Sequence, residues 1–191
     1  MPTTDILPIK NGTFDCLKRI KYTANSTASA VTGLSVRSRT GGLHEFTLTL
    51  TNVEVPLVDA GAAGAGGGIK ILGFPQGNIK IGNYTVNTTV ARKGTNLTAT
   101  ASLVASLGTV AAAADATLTS TEADVAGSTT ATLTAGAGTF KKVATGLVYL
   151  DGTTTAKDVY LNFAAPDASS AGNDSVIVNG TITILWSNSG Y

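Results

Sequence analysis

Very few residues in this chain have side chains suited to chemistry. Its 191 residues include one histidine, His44, and one cysteine, Cys16. Hydrolytic triads need an imidazole beside a nucleophile, and zinc sites draw on clusters of His and Cys. His44 stands alone. It lies next to Glu45 in an alternating run, and neighbours in a strand point to opposite faces. It therefore reads as a strand histidine and not as a base working with Glu45. One cysteine excludes an intrachain disulfide and points to a cytosolic folding compartment. Cys16 reads as a small buried hydrophobe rather than a reactive thiol.

The carboxylates are few and scattered. Asp115, Glu122 and Asp124 form a local acidic group, with no Lys or Arg between 94 and 140. Calcium binding takes several oxygen ligands, but the EF-hand loop pattern is absent and the group reads as a solvated loop. Nothing points to the paired carboxylates of a glycosidase. The glycine run GAAGAGGGIKI, from 61 to 71, offers no G-x-G-x-x-G placement and no following helix. GAGTFKK has the wrong spacing for a phosphate-binding P-loop. The chain is thus expected to be no enzyme and to carry no cofactor and no metal.

Composition narrows the partners. Hydrophobic residues make up 43% and charged residues 13%, with a net charge of +1. That charge provides no strong field for nucleic acid or membrane binding. No aromatic-interleaved basic patch is present, and no run approaches the ~18 apolar residues of a membrane helix. The first residues lack the basic and apolar regions of a secretion signal, so the seven Asn-X-Ser/Thr sequons carry little meaning. Thr replaces Lys and Glu over much of the chain, a hint of extensive protein–protein contact.

The elements that hold these residues read as strands. Phe46, Leu48 and Leu50 alternate with Thr47, Thr49 and Thr51, and the apolar phase then shifts to Val53 and Val55, which predicts a bulge or bend. Leu97, Ala99, Ala101, Leu103, Ala105 and Leu107 share one face. Val176, Val178, Ile182, Ile184 and Trp186 share another, with Gly180 marking a bulge or a close backbone approach. Trp186 reads as core. Weaker strands are expected near 17–23, 31–37, 140–150 and 157–163. Thr119 and Glu122 have capping-box spacing, which predicts a helical turn or two. Ile69 and Ile71, the Pro75–Gly77 turn, and Ile79 and Ile81 predict a β-hairpin leading into a further strand at Tyr84–Val90, with a flexible glycine loop before it.

About eight or nine strands with irregular connections suit an all-β antiparallel β-sandwich or jelly-roll-like body over 43–191. Residues 1–42 read as an extended N-terminal arm or peripheral strands. They hold Lys10, Lys18, Arg19, Lys21, Arg37 and Arg39, close to half the basic residues.

From residue 67 to 186 the chain resembles small virion structural proteins of tailed bacteriophages. The resemblance rests on Gly67–Ile71, Phe74–Ile79, Ser106–Thr109, Thr117–Val125, Asp151–Ala164 and Asn179–Trp186. Several proteins of this look are capsid decoration, or cement, proteins. The resemblance implies a β-sandwich or jelly-roll subunit, often a homotrimer, on the outer surface of the phage head. It would clamp neighbouring copies of the major capsid protein against internal DNA pressure, after assembly in the host cytoplasm. The arm's six basic residues are the expected capsid contacts. A tail or fibre-associated virion protein that forms rings or tubes is the alternative. A carbohydrate-binding jelly-roll protein is a third reading, since fold does not fix function.

Overall fold

The computed structural model describes residues 31–39 and 43–189. The antiparallel all-β fold expected from the alternation is the one that forms. The described strands are β1 (Leu34–Arg39), β2 (His44–Asp59), β3 (Ala65–Gly73), β4 (Gly77–Arg92), β5 (Ser102–Gly108), β6 (Ala126–Thr132), β7 (Ala137–Val143), β8 (Val148–Gly152), β9 (Asp158–Ala165) and β10 (Asp174–Asn188). Every pairing among them is antiparallel. The strand order is β6-β5-β9-β3-β2-β10-β4-β7, with β1 added to β2 and β8 to β4.

The long strand β2 joins the two halves of this sheet. Its residues 44–57 pair with β10, whereas Val58 and Asp59 pair with β3. The path then curls into a nearly closed barrel. One wall is β1-β2-β10-β4-β7 and the other is β3-β9-β5-β6. The inward residues of both walls form one core, with Phe46, Phe74 and Trp186 packed ring to ring at 5.2–6.0 Å.

The phase shift in β2 has a visible cause. Asn52 takes a positive φ of 53°, which Asn tolerates, so Val53 and Val55 return to the core side. Opposite it, the register between β2 and β10 slips between Val178 and Gly180. Gly180 has φ 131°, and a Cβ there would lie 2.3 Å from the carbonyl oxygen of Asn87. Both readings of Gly180, bulge and close approach, hold.

Four expectations need correction. Ile69–Ile71 and Ile79–Ile81 do not form a hairpin. β3 pairs with β2 and β9, while β4 pairs with β10, β7 and β8. The short connection at 74–76 carries the chain from one wall to the other, with Phe74 buried and its N–H bonded to the Lys157 carbonyl. Turn chemistry marks where the chain reverses, not which edges then pair. The glycine run is no flexible loop either: Ala65–Gly68 open β3. Its glycines are dictated by close approach, since a Cβ on Gly66 would lie 2.0 Å from the Ala113 carbonyl and one on Gly67 2.1 Å from that of Pro56. The alternating run from Leu97 forms a strand only from Ser102. Before it, Ala101 N–H closes a turn onto Thr98. The segment 140–150 divides into β7 and β8 around a turn at 144–147.

The helical turn at 120–122 forms where the Thr119–Glu122 spacing placed it, with Thr119 N–H donating to the Glu122 carboxylate at 3.0 Å. Of the N-terminal segment, β1 is a peripheral strand on β2, and the strand expected at 17–23 lies outside the described residues.

Candidate functional site

Among the described residues, those that chemistry would draw on are held in structural contacts; Cys16 lies outside them. His44 sits opposite Trp186 in the ladder and stacks on it, with ring centroids 4.5 Å apart. Its Nδ1 and the indole N–H of Trp186 are buried with no hydrogen-bond partner among the described residues. The acidic group from the sequence is spent on the backbone. Asp124 accepts from Thr109 N–H at 2.8 Å and its hydroxyl at 2.6 Å. Glu122 accepts from the N–H groups of Ala113 and Thr119. Asp115 accepts from Thr117. Among the described residues no group of three or more His, Cys, Asp or Glu is placed to hold a metal ion.

Other carboxylates do the same. Burial pushes Asp174 up, but backbone N–H groups of Leu97, Ser175, Gly94 and Asn96 outweigh it and hold the carboxyl below its ordinary value. Asp151 is lowered by the Thr153 hydroxyl and N–H. Glu54 is lowered by its bond from Lys93, whose Nζ lies 2.6 Å from Oε2. That pair lines an open groove of about 520 Å³ together with Pro56, Val58 and Asp174, and so offers it no unpaired charge of its own. Burial raises Tyr84, whose ring belongs to the core.

What remains is a surface. On the wall β1-β2-β10-β4-β7 the outward residues line up across the strands. One row runs Arg37, Thr47, Thr183, Thr85, Val143. The next runs Ser35, Thr49, Thr181, Asn87, Lys141. At ~4.8 Å per strand each row spans roughly 19 Å. The β-branched threonines alternate with the buried Phe46, Leu48, Ile182, Ile184 and Val86, so the same alternation that builds the core builds this face. A shallow depression of about 280 Å³ lies in it, over Tyr84, Thr183 and Leu185. At its β7–β8 margin Val143 and Tyr149 are 58% and 68% exposed, and Lys80 Nζ sits 5.7 Å from the Tyr149 ring centroid.

The expected contact residues divide. Lys10, Lys18, Arg19 and Lys21 lie outside the described residues. Arg37 and Arg39 are exposed on β1, two residues apart on its outward face, at the edge of the threonine rows. Sequence reading missed the rows themselves. Their signal was present as T-x-T spacing in β2 and β10, but which strands lie side by side is decided by pairing alone. It also missed Asn162, which is fully buried outside the hydrophobic core. The chain matches no family model and no curated protein.

Proposed function

We propose that this protein is a virion structural subunit, a decoration protein that binds the outer head surface of a tailed bacteriophage. It would hold neighbouring copies of the major capsid protein against internal DNA pressure. The observation that carries this reading is the bare outer wall. It is broad and regular, and its two threonine rows hold no carboxylate, with Arg37 and Arg39 at one margin and exposed apolar side chains at the other. Such a face loses little charge solvation when covered by another protein. The sequence resemblance points the same way. The work would be done by binding energy alone, and a trimer would repeat a modest contact three times.

The test is native mass by light scattering, followed by attachment to expanded capsid shells. A discrete species near three times 19.2 kDa that decorates shells supports the reading. Rings or open polymers that ignore shells would replace it with a tail or fibre role. Removing residues 1–30 takes away four of the six basic residues and leaves every described strand in place. That truncation is expected to abolish decoration while the melting transition persists.

A further inference from the structure

Two edges of the curled sheet are finished differently. Where β6 and β7 diverge, Lys142 Nζ donates to the carbonyls of Gly127 and Ser128, so a side chain occupies the edge of β6. At β1 nothing comparable is present among the described residues: β1 pairs with β2 on one side only. Thr51 N–H donates to the Gly33 carbonyl across this ladder. Bonded and non-bonded positions alternate in an antiparallel pair. Ser35, Arg37 and Arg39 therefore turn their backbone groups to β2, and Val36 and Ser38 turn theirs to the open side. Arg37 and Arg39 stand over this edge at roughly 6.8 Å spacing. Neither guanidinium has a partner among the described residues. Glu45, opposite Arg39, instead accepts from the Thr47 hydroxyl.

We infer that the edge of β1 is a strand-addition site for an extended acidic segment of a partner protein. The backbone of Val36 and Ser38 would supply the ladder, and Arg37 and Arg39 would select carboxylates on alternate residues of the incoming strand. Charge excludes two other occupants. A second β1 paired antiparallel would set arginines against arginines, and the chain's own segment bearing Lys18, Arg19 and Lys21 would add like charge to like. Nucleic acid brings phosphates to the arginines but no backbone to the ladder. The inference rests on the reading of this protein as one that attaches to a larger assembly, and it names the mode of attachment.

The experiment titrates the full-length protein with a peptide of about ten residues alternating glutamate and valine, against a lysine–valine control, and follows amide NMR signals. The expected result is that the acidic peptide alone moves the signals of Val36 and Ser38. Ser38→Pro removes an edge N–H and keeps both charges; it is expected to weaken binding about tenfold with β2 and β10 signals unmoved. Arg37→Glu with Arg39→Glu is expected to switch preference to the lysine peptide. Binding that leaves β1 signals still, binding indifferent to Ser38→Pro, or no binding at millimolar peptide overturns the inference. A duplex oligonucleotide moving the same signals while the peptide does not overturns it as well. Shell attachment separates the two readings. If shells bind Ser38→Pro and the double variant as well as wild type, strand addition falls and decoration stands. If the acidic peptide binds β1 but shells do not, decoration falls and strand addition stands.

Discussion

The two walls of the barrel carry polar residues on their outer faces for different reasons. On the wall β3-β9-β5-β6 the segment 109–124 is laid across the outside. Asn162 on β9 is fully buried beneath it. Its Oδ1 accepts from Ala112 N–H at 3.0 Å, and its Nδ2 donates to the carbonyls of Val110 and Glu122, each at 2.8 Å. Ser106 on β5 donates to the same Glu122 carbonyl at 2.6 Å. Gly66 and Gly68 leave room for this strap. On the opposite wall the threonine rows carry no covering segment among the described residues. A covered polar group is an internal bond that must be kept, whereas a bare one is surface open to a partner.

The sharpest way to break this contrast is at Gly68. A Cβ there would lie 1.9 Å from Asn162 Oδ1. Gly68→Ala is expected to expel the amide and cost about 3–4 kcal/mol by denaturant unfolding. Asn162→Ala leaves the Ala112 N–H and the Val110 carbonyl under the strap without a partner, while the Glu122 carbonyl keeps the Ser106 hydroxyl, and is expected to cost about 2–3 kcal/mol. The double variant tests the geometry. Without the amide the new methyl has space, so the combined loss should fall well short of the sum of the two. Full additivity would mean that the two side chains do not meet.

Asp174 ranks next. It caps Gly94, Leu97 and Ser175 N–H groups at 2.7 Å each, tying the start of β10 to the 93–97 connection. Asp174→Ala is expected to cost about 1–2 kcal/mol. Its carboxyl is lower in the folded state than in the unfolded chain. Its contribution is therefore complete above the unfolded value of about 4 and is lost as pH falls through the folded one. Wild type should melt at a steady temperature near neutrality and lose stability below about pH 4; Asp174→Asn should lose less on the same acidification. An equal acid slope in the variant would place the sensitivity elsewhere.

The smallest effect is expected on the bare wall. Thr49→Ala and Thr183→Ala should each change stability by less than about 0.5 kcal/mol, since neither hydroxyl is buried beneath another segment. If either costs as much as Asn162→Ala, the walls do not differ as described. The same variants should weaken shell attachment if the rows are the bound face.

Much of this was legible beforehand, for a local reason. The two-residue period of a strand determines which side chains turn inward, so Phe46, Leu48, Leu50, Val176, Ile182, Ile184 and Trp186 were identifiable as core. The phase break at Asn52 and the slip at Gly180 were equally local. In the stretch from Leu97, period-2 reasoning found the buried side chains but not the turn, because Leu97, held by a single bridge to Ser170, and Ala101 reach the core outside any strand. At Asn162 the alternation with Leu161 and Phe163 turns a polar residue outward, but the period alone does not show that a segment some 50 residues away in sequence covers it.

The alternation, the bulges, the capping turn and the scarcity of catalytic side chains all follow from neighbours along the chain, and these the amino-acid order specifies directly. Pairing does not. Whether β3 turns back onto β4 or crosses to β9, whether a glycine run is a loop or a strand under a strap, and which threonines share a row depend on contacts between distant segments. Those contacts are decided by the whole barrel closing over one core, where each edge takes the partner that leaves the fewest backbone groups unpaired.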